Sequence, residues 1–480
     1  MRTKIVATLG PASFDKSIID QMAQAGVNVF RLNFSHGDPK ILRQVIQYIR
    51  ELGPSYHHRL AILGDLQGPK IRIGEVENNA IHLQQGQRIQ LAGGIGLSKE
   101  DLLWINYSQL TEDVKPGDQV LLDDGKISLK VKEKLSTGLL SAEVLVGGIL
   151  TARKGVNLPD SHLTLSALSE KDLMDLRFAY QNQLDWIALS FVRSSEDILK
   201  LRENIQVLGR NWNPGIVAKI EKPEALKNLD SIIEVSDALM VARGDLGVEL
   251  PYEQVPAVQK LLIHKSIAQS KPVIVATQML EGMLNNTRPT RAEINDVANS
   301  VMDGADALML SAETSMGQYP VEAVRAMRRI IDETEKIGEI HNRKPENSFT
   351  NPSRLISDAV IEAAIRLSEK TEAKAILTYT LTGYTAMRLA SYRPKAQIFI
   401  FARSPRIIRR LSLVWGITGF VQQNLHYTDD NLDLMVQILL QNNEVNPDDI
   451  LVKITGFPMK EKAMSNMVVV TRVKNPKPED

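Results

Sequence analysis

The stretch GIVAKIEKPEALKNLDSIIEVSDALMVARGDLGVEL, Gly215 to Leu250, decides the fold. Two continuous apolar runs, Ile216–Glu221 and Ala238–Arg243, flank a helical pattern at Pro223–Val235. Runs this short and this apolar read as strands buried on both faces, as parallel sheets require. The unit recurs. Further runs stand at Lys4–Leu9, Val27–Asn33, Leu60–Asp65, Trp186–Phe191, Val273–Gln278 and Ala307–Glu313. Helical patterns at Ser17–Ala25, Ile41–Leu52, Glu170–Gln181, Ser195–Leu208, Val255–Gln269, Ala292–Asp303 and Val321–Ile337 lie between most of them and after the last. Eight strand-then-helix units predict an α/β fold, a (β/α)8 barrel. A doubly wound open sheet is the alternative, and the lack of G-x-G-x-x-G after the first run weighs slightly against it.

The spacing between the third and fourth runs is too long for an ordinary connection. A structureless loop of that size is uncommon, so residues 70–165 are expected to form an inserted domain. Short alternating stretches at Gln87–Leu91, Gln119–Leu122, Lys126–Lys132 and Ser141–Val146 point to a small all-β unit. Pro116-Gly117-Asp118 and Asp123-Asp124-Gly125 supply turns. The barrel then comprises residues 1–69 and 166–340, and the polar residues 341–352 read as a linker. Residues 353–480 are expected to form a C-terminal α/β domain. Its strands would be Ala375–Tyr379, Gln397–Phe401, Ile450–Ile454 and Met467–Val473, with helices at Ile356–Lys370 and Asn431–Gln441.

Composition excludes several function classes. Lys plus Arg and Asp plus Glu number 57 each in 480 residues, so bulk electrostatic binding of nucleic acid has no support. Arg406, Arg409 and Arg410 read as a solvated helix face, or as a subunit or effector contact. Cysteine is absent, which removes disulfides, thiolate metal sites and a Cys nucleophile. The first apolar run is too short for a signal peptide, and no window is long enough to span a membrane. The expected location is the cytoplasm.

In such a barrel the active site lies at the carboxyl ends of the strands. Side chains alternate along a strand, so Arg31, Asn33 and Ser35 project to one side. The third run ends on Asp65. The fifth brings together Lys219 and Glu221, and the sixth Arg243 and Asp245. The seventh ends Thr277-Gln278 and the eighth Ser311-Ala312-Glu313. Charges in a barrel mouth must be paired or bound to ligand. Glu221 and Asp245 could share a hard divalent cation, leaving positions for substrate and water oxygens. Arg31, Lys219 and Arg72 suit an anionic substrate such as a phosphate. Phosphoryl transfer needs little beyond positioning and charge neutralisation. Gly244 permits close backbone approach. Thr277 and Ser311 could pass a proton but are poor bases alone.

Five segments make the reading specific. GIVAKIEKPEAL (Gly215–Leu226), MVARGDLGVE (Met240–Glu249), VFRLNFSHG (Val29–Gly37), VATQML (Val275–Leu280) and MLSAETSMGQYP (Met309–Pro320) resemble pyruvate kinase. Their order and the three-domain plan match over essentially the whole chain. The resemblance implies phosphoryl transfer from phosphoenolpyruvate to ADP, giving ATP and pyruvate, the final step of glycolysis. Glu221 and Asp245 would bind Mg2+ or Mn2+. Lys219 would stabilise the transferring group and the developing enolate, and Arg31 would hold the phosphoryl group. Thr277 would hold the substrate carboxylate and deliver a proton, with Ser311 a further catalytic candidate. Gly244 and Asp245 would offer backbone amides to the carboxylate. Asn33, His36 and Arg72 would lie near the nucleotide, and the inserted domain would be a lid.

One departure is informative. Many members read D-T-K-G-P-E-I-R-T after the third strand and need K+, held by Asn, Ser, Asp and a Thr backbone oxygen. Here Asp65-Leu66-Gln67-Gly68-Pro69-Lys70-Ile71-Arg72-Ile73 resembles the K+-independent branch. A tethered ammonium at Lys70 can supply the charge K+ would bring. Asn33, Ser35, Asp65 and Leu66 would remain as a vestigial or weak monovalent-cation site. In the C-terminal domain, Thr380, Thr382, Gly383, Tyr384 and Thr385 precede a helical pattern, and hydroxyls and amides at a helix start can hold an anion. In the family this loop cradles the phosphate of an allosteric activator; Lys453 and residues 456–466 would contribute. Gly456-Phe457-Pro458 departs from the Gly/Ser-rich loop of many relatives, which favours a sugar monophosphate or nucleoside monophosphate over fructose 1,6-bisphosphate. A homotetramer with two-fold axes is implied. The alternatives are another phosphoenolpyruvate/pyruvate barrel, such as a Mg2+-dependent aldolase or lyase, and a catalytically dead metabolite sensor.

Overall fold

The computed structural model describes residues 1–35, 37–57, 59–136, 138–337, 341, 354–423, 430–456 and 464–474. Eight parallel strands close a barrel in sequence order: β1 (Lys4–Leu9), β2 (Val29–Asn33), β3 (Ala61–Asp65), β4 (Trp186–Leu189), β5 (Gly215–Ile220), β6 (Ala238–Ala242), β7 (Val273–Ala276) and β8 (Ala307–Leu310). The unbroken apolar runs have a direct cause. Val6, Val29, Leu63, Val217, Met240, Ile274 and Met309 fill the barrel interior, while their neighbours Ile5, Ile62, Ile216 and Leu308 pack against the helices outside. Both faces are buried, so neither can be polar. Helix starts carry the expected caps. Asp15 and Asp38 accept backbone N–H groups, and Ser169 and Thr290 form capping boxes with Asp172 and Glu293.

Between β3 and β4 the chain builds a separate six-stranded sheet from Arg88–Gly93, Leu102–Ile105, Gln119–Leu122, Ile127–Lys134, Leu140–Val146 and Val156–Asn157. It has its own core, including Leu91, Leu103, Val120 and Leu129. One short helix, Leu110–Asp113, interrupts it.

The C-terminal sheet holds β9 (Ala375–Tyr379), β10 (Gln397–Ala402), β11 (Ile417–Val421), β12 (Ile450–Thr455) and β13 (Met467–Arg472) in the order β11-β10-β9-β12-β13. Only β13 runs antiparallel to its neighbour. The sequence reading omitted β11, because Thr418 and Gly419 break its apolar run. Gly419 lies against the helix Pro405–Leu411, and a Cβ there would meet Ile408 Cγ2 at 2.7 Å. Of the expected linker, residues 342–352 lie outside the described residues.

The amino ends of the barrel strands carry a repeated device. Asn28, Asp185, Asp237 and Asp306 each precede an even-numbered strand. Each accepts the backbone N–H at or next to the start of the preceding strand, from Ile5, Ile62, Ile216 and Val273 respectively. Arginines of the C-terminal domain meet the three aspartates. Arg409 Nε lies 2.7 Å from Asp185, Arg393 Nη2 2.9 Å from Asp306 and Arg410 Nη2 3.5 Å from Asp237. Arg406 donates to the Asn211 carbonyl at 2.6 Å. Of the readings open for Arg406, Arg409 and Arg410, a solvated face does not hold; with Arg393 they dock one domain beneath another. Among the described residues, no helix is long and apolar enough to cross a membrane.

Candidate active site

The carboxyl ends of the strands converge on one continuous line of charge. Arg31, on β2, donates through Nε to Asp65 Oδ2 at 2.7 Å and through Nη1 to Thr8 Oγ1 at 3.0 Å. Lys219, on β5, sits 3.4 Å from Asp65 Oδ1 and 2.9 Å from Glu221 Oε1, and donates to Ser190 Oγ at 2.7 Å. Ser190 Oγ in turn donates to the Leu66 carbonyl at 2.8 Å. Glu221 Oε2 accepts the Phe191 amide at 2.7 Å. Asp65 and Glu221 are only 2% and 1% exposed, so their charges survive by pairing.

Electrostatics follow from that burial. Burial works against the Asp65 carboxylate, yet Lys219 and Arg31 together hold it below its ordinary value. Burial also pulls the Lys219 ammonium down, but Asp65 and Glu221 outweigh it and hold Lys219 above the usual lysine range. Burial pushes the Glu221 carboxyl up; Lys219 opposes this and the Asp245 charge adds to it. Lys219 therefore does not fully offset what burial costs the Glu221 carboxylate. A cavity of about 150 Å3 opens over these groups, lined also by Asn33, Ser35, Gln67, Lys70 and Arg72. Lys70 is exposed, and neither it nor Arg72 has an ion-pair partner among the described residues. Among the described residues no three or more His, Cys, Asp or Glu side chains group as a metal site. Glu221 and Asp245 line one cavity, and two carboxylates with hard oxygen donors fit a divalent cation that keeps its other positions for ligand oxygens.

Thr277 follows β7 with φ +70°, a backbone conformation a β-branched residue rarely adopts. Arg243 holds it there, donating to the Thr277 carbonyl at 2.7 Å. Thr277 Oγ1 accepts the Gly244 amide at 2.8 Å and donates to the Ala276 carbonyl at 2.6 Å. Backbone strain of this kind is stored at functional sites at about 1–3 kcal/mol.

Four expected placements meet a different geometry here. Arg243 does not join Asp245; its guanidinium grips Asp296 at 2.6 and 2.7 Å. β6 ends at Ala242 and Arg243 opens the helix Arg243–Glu249, so strand alternation no longer applies. Glu313 does not face the mouth either. It lies in the helical turn Ala312–Ser315, and its carboxylate accepts the Leu280 and Ser311 amides at 3.1 and 2.7 Å. Ser311 is not among the residues lining the cavity, and its buried Oγ has no hydrogen-bond partner among the described residues. The Gly244 amide, expected at the substrate carboxylate, is engaged by Thr277. His36 lies outside the described residues. Thr8 and Ser190, each the polar residue next to the end of its run, add hydroxyls that no strand-end pattern of charge announces; they brace Arg31 and Lys219.

The family model for the pyruvate kinase barrel domain matches residues 1–324, and that for the pyruvate kinase alpha/beta domain matches residues 358–471. The chain belongs to the pyruvate kinase family. It is 42% identical over 473 residues to a pyruvate kinase of Geobacillus stearothermophilus, covering 98% of this chain and 80% of that one. It is 40% identical over 472 residues to a pyruvate kinase of Mycobacterium tuberculosis, covering 98% of each. A crystal structure of a pyruvate kinase from Cryptosporidium parvum superposes with a TM-score of 0.91 at 33% identity, covering 98% of this chain and 96% of that one. The enzyme is a phosphotransferase, and the aldolase or lyase reading falls away.

In this pyruvate kinase the expected effector loop is internally bonded. Thr380 Oγ1 accepts the Gly383 amide at 2.8 Å, and Thr382 Oγ1 accepts the Tyr384 amide at 3.4 Å. Gly383, at φ +91°, makes the turn into the helix Tyr384–Ser391. Tyr384 donates to Asp358 at 2.6 Å, while Thr385 Oγ1 is 3.0 Å from Ser465 Oγ. Lys453 Nζ lies 3.7 Å from Asp433. Residues 457–463 of the adjoining segment lie outside the described residues.

Proposed function

We propose that this pyruvate kinase transfers the phosphoryl group of phosphoenolpyruvate to ADP, with Mg2+ or Mn2+ and without a requirement for K+. The observation that carries the reading is the buried series Arg31, Asp65, Lys219 and Glu221 beside Asp245, lining one cavity. Arg31 and Lys219 bind the phosphoryl oxygens, and Asp65 and Thr8 orient them. As a β-phosphate oxygen of ADP forms its bond to phosphorus, the bond to the enol oxygen breaks and its electron pair stays on that oxygen. The Lys219 ammonium neutralises the charge that develops there. Thr277, through water, then delivers a proton to the enolate carbon, giving pyruvate. Glu221 and Asp245 would hold the divalent cation, which when bound supplies further neutralisation of phosphate charge. Asn33 and Arg72 contact the nucleotide. Residues 70–165 form the lid that closes over the substrate and excludes water.

Lys70 stands in for the monovalent cation. Asn33, Ser35, Asp65 and Leu66 are the remnant of that site, and Asp65 serves instead to pair two cations. Parent rates with K+ and with tetramethylammonium at equal ionic strength should therefore agree. Lys70→Glu should lose about tenfold without K+, the rate equivalent of one ~1.4 kcal/mol contact, and recover when K+ is added. Strict K+ activation of the parent would sink this assignment. The loop Thr380–Thr385 binds the phosphate of an activating monophosphate, and the active form is a cytoplasmic homotetramer working in glycolysis. A steady-state assay with phosphoenolpyruvate and ADP across a panel of phosphorylated metabolites tests the whole reading, and no ATP formation would reject it.

A further inference from the structure

One buried ion pair has no part in the steps above. Lys222 directly follows Glu221 and is 9% exposed, and its ammonium meets Glu249 Oε1. Glu249 is 5% exposed. The same oxygen accepts Asn157 Nδ2, from the inserted sheet, at 2.7 Å. Glu249 Oε2 is buried with no hydrogen-bond partner among the described residues. Glu249 closes the helix Arg243–Glu249, one turn after Asp245. Residues four apart lie on the same side of a helix, so Glu249 and Asp245 share one helix face.

The geometry joins two segments that have reason to part. One carries Glu221, the other Asp245, two carboxylates that line the same cavity and, as like charges, disfavour close approach. A buried ion pair is weak evidence of added stability, since apolar residues of similar size often serve as well. Its use here is positional. We propose that Lys222 and Glu249 form an outer clamp that fixes the spacing of Glu221 and Asp245 and thereby sets the affinity for the divalent cation. Both are positioning residues. Asn157 ties the same clamp to the inserted sheet. The proposal rests on Glu221 and Asp245 being the cation's protein ligands.

The test is a titration of the full-length protein with Mn2+ alone, followed by electron paramagnetic resonance. Glu249→Gln should weaken Mn2+ binding by about tenfold or more, as loss of an outer-shell contact does. That change strands the Lys222 charge, so the double variant K222M/E249M is the control that keeps packing without the ion pair. It should fold, by circular dichroism and unfolding midpoint, and still bind Mn2+ more weakly than the parent. A folded K222M/E249M with parental Mn2+ affinity overturns the clamp. Glu221→Gln separates the two ideas. If it too leaves Mn2+ affinity unchanged, the ligand assignment has failed; if it abolishes binding while K222M/E249M does not, the clamp alone has failed.

Discussion

Lys219→Met should lower kcat by about 10^3 to 10^5-fold, the range known for removing a cation that meets transition-state charge in phosphoryl transfer. Lys219 has no freedom to be replaced by a neighbour. Its ammonium is held by Asp65, Glu221 and Ser190, at 3.4, 2.9 and 2.7 Å, and Arg31 is already committed to Asp65 and Thr8. The same substitution should leave Mn2+ binding intact or tighten it. It removes a positive charge beside Glu221, whose carboxyl burial and Asp245 already push up. The unfolding midpoint of the variant should therefore rise on adding Mn2+ at least as much as that of the parent. Turnover within tenfold of the parent would refute the role given to Lys219.

Asp65→Ala should destabilise the barrel by about 3–5 kcal/mol, the usual result of leaving buried charge uncompensated. Asp65 is 2% exposed and faces two cations, with Arg31 at 2.7 Å and Lys219 at 3.4 Å. Its loss leaves Arg31 without a carboxylate and Lys219 with Glu221 alone. Activity should fall with stability, because neither cation keeps its orientation. Inorganic phosphate or sulfate should recover part of the stability by taking the empty place between the two cations. Asp65→Asn, which keeps the shape and removes the charge, should lie between parent and Asp65→Ala. Denaturant titrations of the three proteins with and without sulfate decide this. A change below about 1 kcal/mol, the level of a surface ion pair, would show that the pairing carries little.

Much of this site could be read in advance because it is built from local patterns. An apolar run that ends in alternating polar residues announces a barrel strand and points those residues into the mouth. Arg31, Lys219 and Glu221 meet for that reason. The same rule was followed too far at Arg243 and Glu313. There the strand stops at Ala242 and Leu310, the chain turns helical, and the side chains swing to Asp296 and to the backbone of the neighbouring loop. At Thr8 and Ser190 the rule is silent, because a single hydroxyl among apolar residues does not interrupt a strand pattern.

The sequence by itself determined the eight-strand barrel, the insertion after the third strand, and which strand ends carry charge. Burial on two faces and side-chain alternation act over a few residues, so composition and period record them directly. Only the tertiary structure decided who partners whom. Arg409 and Arg410 reach Asp185 and Asp237 because the C-terminal domain packs beneath the barrel. Arg243 turns to the Thr277 carbonyl and props up a strained backbone. Lys222 finds Glu249 across two successive barrel units. Such contacts join residues tens to hundreds of positions apart, and their energy depends on burial that no local pattern expresses.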